Sequence, residues 1–312
     1  MPISFWIVFN AIVLILLFLD LAVTGRKHQT MPFRQALLMS AFWIGLAVAF
    51  AFLVYHWLGT AKALEFTTGY LLEEALSVDN LFVFILLFSY FKVPPEDEKT
   101  VLFWGIIGAM IMRGIFIWAG VELIQRFHWI LYAFGAFLIW TGIKLMRRRD
   151  EEQDPSRNVV VKFCRRFLPV SDSYEQSHFF VRRNGKTFVT PLFLVLLVVE
   201  TTDILFATDS IPAILSITRD PLIVYTSNVF AILGLRSLYF ALAGLIKIFH
   251  YLHYGLAVIL MFIGTKMLLP ERYDVPTWAA LAVIAGVLAI SVLASVLFPK
   301  QDKNASSEGH PA

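Results

Sequence analysis

The chain has 312 residues, 58% of them hydrophobic and 16% charged, with a mean hydropathy of +0.72. Soluble globular domains are closer to half apolar, so the composition excludes that class and predicts an all-α polytopic membrane protein, with recurring apolar runs of about 20 residues. Its single cysteine, Cys164, excludes an internal disulfide, a CxxC pair and a thiolate metal cluster, and the net charge of +3 resides in loops whose basic residues are topology signals rather than a nucleic-acid surface.

The apolar runs predict about nine transmembrane helices. The first, 3–24, starts almost at Met1 and ends at Gly25-Arg26-Lys27, without the basic start and small-residue cleavage site of a removed signal, so it is expected to be retained. Asp20, near Arg26 and Lys27, suggests an interfacial ion pair. With a span over 34–58 it forms an N-terminal helix pair, 1–62. Spans over 66–91, 100–124 and 128–147 make a three-helix unit, 63–147, and spans over 189–218, 221–246 and 250–269 make a second, 189–270. A last helix, 276–298, occupies the segment 271–299, and the polar tail 300–312 is expected to be disordered.

Between the two units lies a basic loop, 148–188. Ten lysines and arginines fall between Arg147 and Lys186, which places this loop in the cytoplasm. Counting outward from it puts the N-terminus outside and the C-terminus inside. Within it, 159–168 mixes apolar and basic residues, as a helix lying on the membrane surface or a solvated linker would. Asn184-Gly185 between β-prone runs signals a β-hairpin.

Two of the spans carry acids at membrane depth, where an uncompensated charge costs about 3 kcal/mol or more. The span 66–91 holds Glu73, Glu74 and Asp79; 189–218 holds Glu200, Asp203 and Asp209. Glu73 and Asp79 are six residues apart, as are Asp203 and Asp209. On a regular helix that spacing means a rotation of about 240° and a rise of about 9 Å. Either the acids line a track through the bundle or the helix unwinds between them, and Pro212 favours unwinding in the second unit. Glu73, Asp79, Glu200, Asp203 and Asp209 are the candidate ion ligands. Asn80, Ser210, Arg113, Asn228 and Arg236 are candidates for the surrounding shell, and Glu74 stays outside the core set. Carboxylate, amide and hydroxyl oxygens suit Mn²⁺, Mg²⁺ or Ca²⁺ better than zinc or copper.

The polar positions also repeat. Glu73 and Asp79-Asn80 align with Asp203 and Asp209-Ser210, Arg113 with Arg236, Phe127-His128 with Phe249-His250, and Gly142 and Lys144 with Gly264 and Lys266. Units of three spans have opposite orientations, so the pattern predicts an inverted repeat with a site at the interface of its halves. The five acids bring five negative charges; a divalent ion with Arg113 and Arg236 brings four positive ones. The remainder suggests a protonated carboxylate and exchange of metal for protons.

The stretches TGYLLEEALSVDNLFVFILLFSYFKVP, HFFVRRNGK, ETTDILFATDSIPAI and TSNVFAILGLRSLYF resemble the TerC family of integral membrane proteins, in particular its Alx-type branch. That resemblance implies a multi-pass protein of the bacterial cytoplasmic (inner) membrane linked to manganese efflux and historically to tellurite resistance. It places the ion site on the same five acids. A carboxylate cage would repel a tellurite oxyanion. The chain is expected to be a divalent cation exporter and no enzyme, with no permanently bound cofactor, Mn²⁺ as its cargo, protons as counter-ion and the lipid bilayer as its surroundings. The alternatives are a membrane partner supplying metal to exported proteins, an intramembrane aspartyl protease using Asp79 and Asp209, which the lack of a GxGD sequence disfavours, and a redox-linked membrane protein, which one cysteine disfavours.

Overall fold

A computed structural model describes residues 3–24, 31–127, 129–147, 170–171, 174, 178–183, 186–243, 251–269 and 275–297. The helices are α1 (Ile3–Thr24), α2 (Phe33–Phe91), α3 (Pro95–Arg126), α4 (Ile130–Arg147), α5 (Pro191–Leu215), α6 (Pro221–Ala243), α7 (Leu252–Leu268) and α8 (Thr277–Leu297). Two short strands, β1 (Phe180–Arg183) and β2 (Lys186–Val189), precede α5. Six of the described helices are long and apolar enough to cross a membrane. The molecule is therefore an all-α multi-pass membrane protein, with one small hairpin among the described residues.

At 59 residues, α2 would measure about 88 Å, nearly three times a hydrocarbon core of about 30 Å. It is not one rod. Gly59 has φ +87 and ψ 175, a conformation that side chains strongly disfavour, and it divides the element into 33–58 and 60–91. The link expected between 58 and 66 is thus a single residue. The segment 60–91 ends at Lys92, left-handed at φ 50, whose backbone N–H donates to the carbonyls of Phe88 and Ser89.

The hairpin forms as the sequence predicts, with Phe180 opposite Val189 and Arg183 opposite Lys186, leaving a two-residue connection. Thr190 Oγ1 donates to the carbonyl of His178 at 2.7 Å, and Tyr174 donates its hydroxyl hydrogen to the carbonyl of Phe91 at 2.7 Å. These bonds anchor the segment before α5 to the end of α2. At the opposite end of the bundle, exposed Trp57, Trp129 and Trp278 stand at helix termini, the positions that amphipathic aromatic rings take at a membrane interface. The surface helix expected over 159–168, the tail 300–312, His128 and the Phe249-His250 pair lie outside the described residues.

The interior is a set of apolar clusters around a polar middle. Leu81, Phe88, Leu102, Val195, Val198 and Leu235 fill the hairpin end. Phe9, Trp43, Phe66, Ile223, Phe230 and Leu233 bind α1, the first segment of α2 and the start of its second segment to α6. Glycines let the backbones approach. A Cβ on Gly135 would lie 2.9 Å from the carbonyl oxygen of Gly264, and one on Gly142 would lie 2.8 Å from that of Ala257, so α4 and α7 meet along a seam of small residues. Likewise a Cβ on Gly69 would lie 3.1 Å from Ser227 Oγ, and one on Gly105 would lie 3.2 Å from Val199.

Candidate cation site

Where α2, α3, α5 and α6 meet, about midway along α5, four polar side chains converge. Arg113 on α3 is 1% exposed, and Glu73 on α2 is 0%. Arg113 pairs with Glu73 through Nη1. It donates from Nη2 to Asp203 Oδ1 at 3.0 Å and from Nε to Asp203 Oδ2 at 3.3 Å, the forked geometry that guanidinium and carboxylate favour. Nη1 also donates to Asn228 Oδ1 at 3.0 Å. The Asn228 amide nitrogen donates to the carbonyl of Val224 at 3.1 Å, which turns its oxygen toward Arg113. A single guanidinium thus bridges the acids that the sequence sets in register, Glu73 and Asp203.

A buried polar stripe extends from each of these acids. Ser77 and Asn80 follow Glu73 by four and seven residues on α2, and Ser210 follows Asp203 by seven on α5, so each set shares one face of its helix. All three are buried. Glu73 Oε2, Glu74 Oε2, Ser77 Oγ and Ser210 Oγ have no hydrogen-bond partner among the described residues. Buried polar atoms are paired in the great majority of cases, so these four oxygens make the two stripes candidates for contact with a ligand; Ser40 Oγ and Trp43 Nε1, on the first half of α2, are likewise without a partner among the described residues. Glu74 itself accepts a hydrogen bond from Tyr70.

The remaining expected ligands do not converge on that centre. Glu200 lies about one turn from Asp203, half-buried, in space left by Gly108 of α3; a Cβ there would overlap its carboxylate. Asp209 accepts a hydrogen bond from Thr141 Oγ1 of α4 at 3.1 Å. The backbone of Asp79 is helical, and its side chain lies outside those described. No group of three or more His, Cys, Asp or Glu side chains close enough to hold one ion occurs among the described residues.

Two expectations are corrected. The helix does not unwind between Asp203 and Asp209, because α5 continues through Pro212 to Leu215. Pro212 removes one backbone bond near the helix end, and surrounding helices support the turn. Arg236 does not belong to the shell of the acids. Its Nη2 pairs with the carboxylate of Asp20 on α1 and donates to the carbonyl of Asp20 at 3.0 Å. Asp20 is buried and meets α6 through Arg236; Arg26 and Lys27, the partners expected for it, lie outside the described residues. Gly108, Thr141 and Tyr70 had no place in the expected site.

A bundle of membrane-spanning helices enclosing buried charged residues defines a polytopic integral membrane protein. The chain belongs to the TerC family of integral membrane proteins, whose family description matches residues 58–303. It is 47% identical to an uncharacterized membrane protein of Myxococcus xanthus over 94% of this chain and 92% of that one. It is 45% identical to Alx of Escherichia coli strain K12 and to Alx of Salmonella typhi, covering 92% of each chain in both cases; the name of both proposes a membrane-bound redox modulator. No solved structure matches the chain.

Proposed function

We propose that this chain exports a divalent cation, Mn²⁺ foremost, across the bacterial inner membrane in exchange for protons, acting as a transporter and not as an enzyme. The observation that carries this reading is the convergence of Glu73 and Asp203 from two different helices at a buried centre lined by unpartnered oxygens. The donors are all hard oxygens, which favour Mn²⁺, Mg²⁺ or Ca²⁺ over softer ions. Glu200 and Asp209, and Asp79 on the same helix as Glu73, serve as further stations along the path.

An inverted repeat is part of the proposal, and the glycine contacts support it. Shifting residues of α4 by 122 converts the contact of Gly135 with Gly264 into that of Ala257 with Gly142. Shifting α2 by 130 and α3 by 122 converts the contact of Gly69 with Ser227 into that of Val199 with Gly105. Contacts that exchange in this way are those of elements related by a twofold axis. The basic loop 148–188 supports a cytoplasmic hairpin end, with the N-terminus outside and the C-terminus inside. Proton exchange has support in the charge count. With Arg236 committed to Asp20, Arg113 and one divalent ion leave two of the five negative charges uncompensated, and protons are the natural complement.

A redox role is what the name of the Alx relatives proposes for them. A chain with one cysteine has no dithiol pair of its own, so a redox effect here would follow from altered metal supply. Delivery of metal to exported proteins would use the same site. Purified protein in sealed vesicles separates these readings. Mn²⁺ flux exceeding Zn²⁺ flux, with opposing proton movement reported by a trapped dye, is the expected result. Zinc flux without manganese flux would overturn the ligand argument. Metal flux without a pH signal would remove proton coupling, and no flux of any ion would favour the delivery role.

A further inference from the structure

We propose that Arg113 is a built-in competitor for the transported ion: its guanidinium occupies the place between Glu73 and Asp203 that a divalent cation takes during transport, and each cycle exchanges the two. The inference rests on the exporter reading above. Its basis is geometric. The guanidinium is fully buried and touches both register-matched acids, forking to one of them. One positive charge shared by two carboxylates, with Glu73 Oε2 still unpartnered, leaves the acids with capacity for a stronger cation.

Exchange solves a physical problem for an ion carrier. Bare carboxylates inside a membrane are unfavourable, and a carrier that has released its ion must still return. A tethered guanidinium covers Glu73 and Asp203 while the ion is gone, so the return never requires both to stand unpaired. Asn228 gives the guanidinium a neutral acceptor fixed by its own helix, which remains available when the carboxylates turn to the ion. The consequence is a trade. The competitor weakens ion binding and speeds ion release, so removing it should tighten binding and slow turnover. Loss of a merely structural residue would weaken both.

The test measures equilibrium binding of ⁵⁴Mn²⁺ to the purified full chain in lipid nanodiscs, with flux in sealed vesicles beside it. If Arg113 holds the acids about nine-tenths of the time, Arg113→Gln tightens apparent affinity about tenfold while flux falls. Arg113→Lys, a point charge unable to fork, should bind more tightly than wild type but less tightly than Arg113→Gln. Asn228→Asp anchors the guanidinium and should weaken Mn²⁺ binding, although it adds a carboxylate that a simple ligand count would credit with the reverse. Where Arg113→Gln fails to fold, the order Arg113→Lys, wild type, Asn228→Asp carries the test alone. Arg113 variants that bind no more tightly than wild type, or an Asn228→Asp variant that binds more tightly, would overturn the exchange. If wild type still carries flux in that case, the exporter reading survives. Absence of both binding and flux in wild type and all variants would overturn both.

Discussion

Two arginines lie buried in the same bundle, and their surroundings differ in kind. Arg236 is closed against Asp20, using both the carboxylate and the backbone carbonyl of one residue. Arg113 is spread over Glu73, Asp203 and Asn228 from three helices. A closed pair fixes one helix to another. An arginine that is outnumbered by acids leaves negative charge for a further cation to offset. Buried charge alone therefore does not distinguish the two regions; the excess of one sign over the other does.

The widest separation between these regions should appear in stability. Asp20→Asn leaves Arg236 buried without its carboxylate, at a cost of about 3–5 kcal/mol. Thermal unfolding in detergent should register that loss, while flux per folded molecule stays unchanged. Replacing both partners, Asp20→Leu with Arg236→Met, should restore stability, since an apolar pair of similar volume does as well as a buried ion pair. Asp203→Asn should do the reverse: the protein stays folded because Arg113 keeps Glu73, but Mn²⁺ affinity drops about 100-fold, as expected for losing a charged ligand worth about 2–3 kcal/mol.

Smaller changes sharpen the outline of the open centre. Gly108→Ala forces the Glu200 carboxylate out of the space it occupies, and overpacking of about 1–2 kcal/mol should lower Mn²⁺ affinity about tenfold in equilibrium dialysis. Thr141→Val removes one hydrogen bond to Asp209, worth about 1 kcal/mol, so the same measurement should move about fivefold. An equal or larger effect of Thr141→Val would shift the main site from the four-helix centre toward α4.

The architecture was legible because membrane helices announce themselves by long apolar runs, and the hairpin by Asn184-Gly185 between β-prone segments. The importance of Glu73 and Asp203 was legible too, as acids at membrane depth in two different spans. Which arginine meets them was not: Arg113 reaches both acids, whereas Arg236 turns to Asp20. Nothing in the local sequence tells the two arginines apart. Gly108 was hidden for another reason. A glycine whose role is to leave room for a side chain on a neighbouring helix gives no signal until the two helices are set side by side. Proline gave the opposite error, since Pro212 reads as a breaker while α5 carries it within its last turn.

The break at Gly59 falls one residue after the start of the family-matched region at residue 58. The described residues before it are joined to the rest by one peptide link and by side chains: Phe9 and Trp43 packed in the cluster with Phe230, Tyr225 donating its hydroxyl hydrogen to Asn10 Oδ1 at 2.6 Å, and Asp20 on Arg236. Those contacts run from the far end of α6 to its hairpin end. A chain severed at Gly59 and produced as two polypeptides would accordingly reassemble in the membrane, which makes this joint the natural place to label, tether or exchange the N-terminal helix pair without touching the charged centre.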